Sequence, residues 1–193
     1  LVRIRYMLLA GVELSDLDKS FKTDFPAVAR LRDDRNILGM KLYRQVILNL
    51  QGLSADPCTL SGDAYREEEH IPVHRQGGDR VMLFDVFFLK MILCYLMGRN
   101  EEALENEAAA YVNIKATSGQ VFFSFYHFYS SLINLACIDG KSSMKRGSIL
   151  KKVSRNQRVL RKWNKHAPMN YQHKILLVEA ERCRVMGKTN AAA

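Results

Sequence analysis

The chain lacks acidic residues where it is richest in lysine and arginine, and it has little proline and few strand-like patterns. Between residues 141 and 165 there is no Asp or Glu, whereas ten Lys or Arg occur. Only 4 prolines and 11 glycines are spread over 193 residues, so long segments can remain helical. Alternation of apolar and polar residues, which is typical of strands, is scarce. These absences favour an all-α fold with one strongly basic segment.

Closely spaced cysteines and long uncharged apolar runs are also missing. The four cysteines form no C-x-x-C pair, which predicts buried free thiols in a reducing compartment rather than disulfides or a zinc site; they are Cys58, Cys94, Cys137 and Cys183. The most apolar runs, 81–97 and 121–138, contain polar residues such as Asp85 and His127. They therefore predict core helices rather than membrane spans. With no signal peptide visible, we expect a cytoplasmic location.

Motifs for nucleotide and metal binding are incomplete. Gly140-Lys141-Ser142 and Gly187-Lys188-Thr189 resemble the end of a phosphate-binding loop, but the position of its first glycine holds Leu135 or Arg182. Glu67 and His70 have E-x-x-H spacing, yet no second such motif exists, and Pro72 is expected to break the helix before His74. The sequence therefore predicts no cofactor, no metal and no catalytic residue in this segment.

Helical spacing recurs along most of the chain. Leu38, Leu42, Val46 and Leu50 fall on one helical face that ends near Gly52. Asp63 is expected to cap a short acidic helix that ends at Pro72, and Gln76-Gly77-Gly78 makes the next break. Before Gly39, a cap at Ser15 and a restart at Phe25-Pro26 indicate two short helices.

The second half predicts two antiparallel helix pairs, 79–97 with 100–114 and 142–166 with 170–187, on either side of an aromatic helix over 121–138. An apolar helix, a Gly-Asn turn and an Ala-rich partner are typical of a tetratricopeptide-type hairpin. The predicted fold is an all-α, tetratricopeptide-like array of antiparallel helix pairs, an α-α superhelix. We expect a single domain over residues 1–190, cut from a larger protein, with residues 191–193 as a cloning scar.

The basic segment and the aromatic helix supply the candidate partner-binding residues. The net charge of +9 permits an acidic partner but does not choose among nucleic acid, membrane and protein. The basic segment could dock phosphate or an acidic domain, or it could be a solvated face that Glu179 and Glu181 of the next helix neutralise. The aromatic residues could line a concave surface or pack in the core. The candidates are Lys151, Lys152, Arg155, Arg158, Arg161, Lys162, Phe122, Phe125, Tyr126 and Tyr129.

Trp163, the only tryptophan, lies three residues after Leu160 and ten after Val153. Helical geometry places these three on one stripe. We expect this stripe to pack against the following helix at Tyr171, Leu176, Leu177 and Ala180. On this orientation the side chains that remain outside are Lys152, Arg155 and Lys162.

Four segments resemble, in the same order, the helical region of large multidomain sensor kinases. They are QVILNLQGLSADPCTLSGDAY at 45–65, LCYLMGRNEEAL at 93–104, FYHFYSSL at 125–132 and the segment 163–187. Proteins of that family combine a serine/threonine-kinase-like domain, an AAA-related signalling ATPase, this helical region, a GAF domain and a histidine kinase. The resemblance implies a tetratricopeptide-like coupling region that follows the ATPase and relays binding to the output kinase. It covers 45–187 and transfers no catalytic residue.

Three functional hypotheses remain open at this stage. The first is a non-catalytic module that contacts neighbouring domains of the same polypeptide or another protein. The second is a free-standing nucleic-acid binder that uses the basic segment. The third is a small helical enzyme with His127 and either Glu107 or Asp85 in one cavity, which requires that the fold bring these residues together.

Overall fold

The computed structural model describes residues 1–188, and helices joined by turns account for most of them. No strand forms within that range; one isolated antiparallel bridge joins Ser61 and Arg66. The predicted all-α fold class is therefore confirmed. The helices are α1 (Val2–Leu9), α2 (Leu14–Arg30), α3 (Asp34–Leu50), α4 (Glu67–Gln76), α5 (Arg80–Leu96), α6 (Asn100–Asn113), α7 (Val121–Ala136), α8 (Ser143–Asn164) and α9 (Pro168–Val185), with a 3₁₀ turn at Ile114–Thr117.

Both predicted helix pairs form: α5 packs along α6, and α8 packs along α9. The α5–α6 turn depends on Gly98, whose φ of 75° lies in the left-handed region that glycine adopts readily. The N–H of Arg99 donates to the carbonyl of Cys94 at 2.8 Å, which closes the end of α5 as in a Schellman motif. The chain therefore reverses within three residues, so α6 begins beside the end of α5.

Two hydrophobic clusters meet at α7. The larger one is formed by α1 to α6, the α3–α4 connection and one side of α7, which contributes Phe122, Tyr126 and Ile133. The smaller one joins the other side of α7, with Phe128 and Leu132, to the α8–α9 pair. Because α7 contributes to both clusters, its position determines where the last two helices lie relative to the first six.

The N-terminal half differs from the prediction at two prolines. Pro26 lies within α2 and Pro72 within α4, although both were expected to interrupt a helix. Each proline is exposed, as are Lys22 and Glu68 four residues earlier, so the carbonyls that lose a partner can reach water. Burial of residues on the opposite face then keeps each helix continuous. Arg66, rather than Asp63, occupies the N-cap position of α4.

The connection between α3 and α4 is long and is held by two buried amides of α3. Asn49 Nδ2 donates to the carbonyls of Pro57 at 3.1 Å and Thr59 at 2.8 Å, and Gln45 Oε1 accepts from the N–H of Ala64 at 3.2 Å. Buried polar groups require such partners. Gln45 and Asn49 therefore attach residues 57–64 to the helical core.

None of the helices in the described range combines the length and apolarity that a membrane crossing needs. The predicted domain boundary at residue 190 and the predicted cloning scar at 191–193 lie outside the described residues.

A buried ion pair joins α1 to α5. The guanidinium of Arg5 bonds the carboxylate of Asp85, and it lies 5.4 Å from the ring centroids of both Tyr43 and Phe122. Burial raises the pKa of Asp85 to about 6 even though Arg5 lowers it. The pair thus attaches the N-terminal helix to the middle of the larger cluster.

We expect Asp85→Ala to lower the free energy of unfolding by about 3–5 kcal/mol, because it leaves the Arg5 charge buried without a partner. The double variant Arg5→Met, Asp85→Leu should recover most of that loss, since two apolar side chains can fill the same volume. Urea unfolding of the three chains gives the comparison. Equal losses in the single and double variants would mean that the charge pair is not the stabilising feature.

Candidate functional site

A cavity of about 450 Å³ opens between α6, α7 and α8, and its wall combines polar and apolar groups. Glu107, Ala108 and Tyr111 come from α6, and Tyr126 and His127 come from α7. α8 supplies the remaining lining residues, which are Ser148, Lys151, Lys152, Arg155, Asn156 and Val159. Glu107 and His127, which the enzyme hypothesis placed together, do line one cavity. Asp85 is not among the lining residues and pairs with Arg5 instead.

The carboxylate of Glu107 is 1% exposed and accepts from three side chains. Its Oε1 accepts from the hydroxyls of Tyr126 and Ser130, the latter at 2.8 Å, and its Oε2 accepts from Lys152 Nζ at 2.6 Å. A buried carboxylate is tolerated when its oxygens are paired in this way. Glu107 therefore joins α6 to α7 and α8, and both of its oxygens accept hydrogen bonds.

A hydrogen-bonded chain connects His127 to this carboxylate. Asn156 Nδ2 donates to Ser130 Oγ at 3.2 Å, which directs Asn156 Oδ1 toward His127 Nδ1 at 2.8 Å. Since an amide oxygen only accepts, the proton of the imidazole resides on Nδ1. His127 Nε2 is thus left with a free lone pair and has no hydrogen-bond partner among residues 1–188.

Burial sets the protonation of the titratable groups in the wall. It lowers the pKa of His127, against the opposing effects of Asn156 and Glu107, so the imidazole is neutral at pH 7. Burial, with the Glu107 charge beside it, raises the pKa of Tyr126, so the phenol stays protonated. Lys152 is compensated by Glu107, whereas Lys151 and Arg155 line the cavity with no carboxylate partner within residues 1–188.

Five of the six basic candidates are exposed on the outer side of α8. Lys151, Arg155, Arg158 and Lys162 follow one another at helical spacings of four, three and four, with Arg161 beside them, and we call these five residues the cationic stripe. Within residues 1–188, no carboxylate approaches any of the five within 4.0 Å. Lys152 differs from them because its side chain turns inward to Glu107, and the expectation that it would remain outside was wrong.

The carboxylates expected to neutralise this stripe form ion pairs within their own helix. Glu179 accepts from Arg182 Nε at 3.1 Å, and Glu181 accepts from Arg184 Nε at 2.9 Å. Each pair is three residues apart, where side chains of one helix meet. Neither carboxylate forms a direct ion pair with α8 within residues 1–188, although the hydrogen bond of Arg182 and, less strongly, the charge of Arg161 lower the pKa of Glu179.

The aromatic candidates separate by burial. Phe122 and Tyr126 lie in the core at 3% and 1% exposure, so their side chains present no surface to a partner. Phe125 and Tyr129 are half-buried, and Lys174 Nζ lies 4.6 Å from the ring centroid of Phe125. For Phe122 and Tyr126, the alternative of core packing is the correct one.

The orientation predicted for the α8–α9 pair is correct in part. Trp163 lies beside Tyr171, with 6.0 Å between ring centroids, and belongs to the smaller cluster with Val153 and Leu160. Leu176 and Leu177, however, are exposed on α9, and the residues that pack inward are Ile175 and Val178.

The four cysteines are free, as predicted, and Cys137 is the one that is only half-buried. Cys58, Cys94 and Glu102 bring their ligand atoms within 4.8 Å of one another, a proximity that their sequence spacing did not indicate. A metal ion there would have to displace the thiol protons, and burial raises the pKa of Cys94 to about 12. Arg99, 3.6 Å from Glu102, adds a positive charge. The three groups could hold a soft cation only against these costs.

Sequence reasoning missed Asn156, Ser130 and Tyr111. A signal for Asn156 was available: it lies midway between Val153 and Leu160, so it occupies the inward stripe of α8 as a polar residue. A buried amide in an apolar stripe indicates a polar partner on the facing helix. Tyr111 carries no such signal, because its part in the cavity depends on how α6 packs beside α8.

Adjacent lysines allow the Glu107 network to be tested with a matched pair of variants. We expect Lys152→Met to lower the free energy of unfolding by about 2 kcal/mol, because Glu107 loses the cation that compensates its buried charge. Lys151→Met, with no ion-pair partner within residues 1–188, should change it by less than about 0.5 kcal/mol. Denaturant unfolding distinguishes them. Equal effects would show that Lys152 is not coupled to Glu107 in solution.

The protonation of His127 can be tested directly. Since its pKa is lowered in the folded state, folding is favoured above pH 6.5, and this contribution is lost as the pH falls from 6.5 through the folded pKa. Imidazole proton signals assigned with His127→Gln should show His127 titrating below pH 6.5. The variant should also lose less stability than the wild type between pH 7 and pH 5. Titration of His127 above pH 6.5 would contradict the buried neutral state.

Comparison with known proteins identifies no relative of this chain: no family model, no curated protein and no solved structure matches it. The helices themselves establish the fold class. Function has to be inferred from two features, the cavity between α6, α7 and α8 and the cationic stripe above it.

Proposed function

We propose that this chain is a non-catalytic helical module that couples domains of a multidomain signalling ATPase and sensor kinase. In this role the cationic stripe docks an acidic segment of a neighbouring domain or of another protein. The observation that carries the proposal is the stripe itself, five exposed cations on α8 with no carboxylate within 4.0 Å in residues 1–188. A surface of this kind is complementary to an acidic partner.

The spacing of the stripe defines the partner it fits. From Lys151 to Lys162 a helix rises about 16 Å at roughly 1.5 Å per residue. An acidic helix with carboxylates at three- and four-residue spacings would place one charge opposite each cation. The tetratricopeptide-like arrangement belongs to the same proposal: helix pairs such as α5–α6 and α8–α9 are the units from which interaction scaffolds of that type are built.

The state of Glu107 favours a non-catalytic role. A general base has to reach a substrate proton, whereas Glu107 is 1% exposed and both of its oxygens already accept from Tyr126, Ser130 and Lys152. His127 reaches that carboxylate only through Asn156 and Ser130. We therefore assign the network to holding α6, α7 and α8 together.

The docking surface can be tested with a glutamate-rich helical peptide as the acidic partner. At 50 mM salt, the triple variant Arg158→Gln, Arg161→Gln, Lys162→Gln should bind it about tenfold more weakly than the wild type, since each exposed charge contributes modestly. The control is Arg30→Gln, Lys41→Gln, Arg75→Gln, which removes the same charge from exposed, unpaired positions elsewhere in residues 1–188. Fluorescence anisotropy gives the dissociation constants.

Two outcomes would contradict docking by the stripe. Equal weakening in both triple variants would assign binding to net charge alone. Tighter binding of a random 20-base-pair duplex than of the peptide, with a steep salt dependence, would favour the nucleic-acid alternative. The family assignment has a separate test, the flanking coding sequence, where we expect ATPase motifs upstream and a GAF domain with a histidine kinase downstream.

A further inference from the structure

The cavity beneath the cationic stripe has the size and wall of a small-molecule site. Its volume of about 450 Å³ lies within the range of ligand pockets, and three helices enclose it. His127, 8% exposed, lines it and keeps Nε2 without a partner among the described residues. An unsatisfied buried nitrogen is costly unless something pairs with it. Nε2 itself has almost no solvent-accessible surface, so it is an acceptor next to the cavity that no protein group within residues 1–188 uses.

The charge of the wall selects an anion. Lys152 is compensated by Glu107, whereas Lys151 and Arg155 line the same cavity without a carboxylate partner in residues 1–188. A guanidinium matches pairs of phosphate oxygens, and an ammonium supplies a further point charge. A phosphate monoester carries a charge of about −1.5 to −2 at pH 7. It therefore balances these two cations, whereas a monocarboxylate would balance only one.

The rest of the wall indicates that the anion carries an organic body. Ala108, Val159 and the ring of Tyr111 line the cavity beside the polar groups, and Tyr111 is 61% exposed. One face of that ring is near Tyr126, at 6.4 Å between centroids. An inorganic ion held by Lys151 and Arg155 would leave this apolar part of the wall uncovered.

We propose that the cavity between α6, α7 and α8 binds a small organic phosphate monoester of the size of a sugar phosphate or a mononucleotide. Lys151 and Arg155 bind the phosphate, and Tyr111 and Val159 contact the organic body. The site shares Lys151 and Arg155 with the cationic stripe, whereas Arg158, Arg161 and Lys162 lie outside the cavity.

Calorimetric titration of the full chain with ribose 5-phosphate and with adenosine 5′-monophosphate tests the proposal. We expect saturable binding of at least one of them, and binding at least tenfold weaker for ribose and adenosine. The double variant Lys151→Gln, Arg155→Gln should bind at least tenfold more weakly, since hydrogen bonds to a charged group contribute about tenfold or more each. Lys162→Gln, Lys165→Gln removes the same charge from exposed positions at the C-terminal end of α8, outside the cavity, and should bind as the wild type does.

The Tyr111→Ala variant distinguishes the contribution of the organic body to binding from that of the phosphate. Because Tyr111 is exposed, this variant should fold normally, bind the organic ester several-fold more weakly and leave the affinity for inorganic phosphate unchanged. The proposal is overturned if neither ester binds at millimolar concentration, or if the Lys162, Lys165 variant loses as much affinity as the cavity variant. Binding of a phosphoserine peptide in place of both free esters would also overturn it and would make the cavity a protein-docking site.

Discussion

The packing of α7 on two sides is the constraint on which the rest of the structure depends. Its residues face one hydrophobic cluster formed with α1 to α6 and a second formed with α8 and α9. A helix that is buried nearly all round cannot rotate without exposing apolar surface on one side or the other. The position of α7 therefore fixes where α8 lies relative to α6, and with it the shape of the cavity.

Polar groups add a second constraint at the same helix. Ser130 and His127 of α7 face α8 through Asn156, and Glu107 of α6 joins them through Ser130 and Tyr126. Apolar contacts alone tolerate small sliding of one helix along another, whereas hydrogen bonds between buried groups lose their partners when the register changes. The network thus sets a specific register for α6, α7 and α8.

α8 has an inner face that packs against the other helices and an outer face that is cationic. Its inner face carries Val153 and Leu160 for packing, with Asn156 between them for the network. Its outer face carries the cationic stripe, while Lys152 lies at the boundary and neutralises Glu107. Occupancy of the cavity and docking on the stripe would therefore act on one helix, which gives a coupling module a physical route between a ligand and a partner.

Sequence periodicity was sufficient to predict the helices whose apolar spacing and turn residues indicate the same boundaries. Both hairpins of the second half follow from the turns at Gly98 and at Ala167-Pro168. It was insufficient at Pro26 and Pro72. There the local preference to interrupt a helix is outweighed by burial of the opposite face, and exposed carbonyls can bond water. Rules based on neighbouring residues do not include this contribution of tertiary packing.

By itself, the sequence determined the all-α class, the main helix boundaries and the basic character of α8, because these depend on residues close together in the chain. Tertiary structure alone decided that Lys152 turns inward and that Phe122 and Tyr126 are core residues. The cavity belongs to this second group. Its lining residues come from three helices, and only the packing of α7 between the two clusters brings them together.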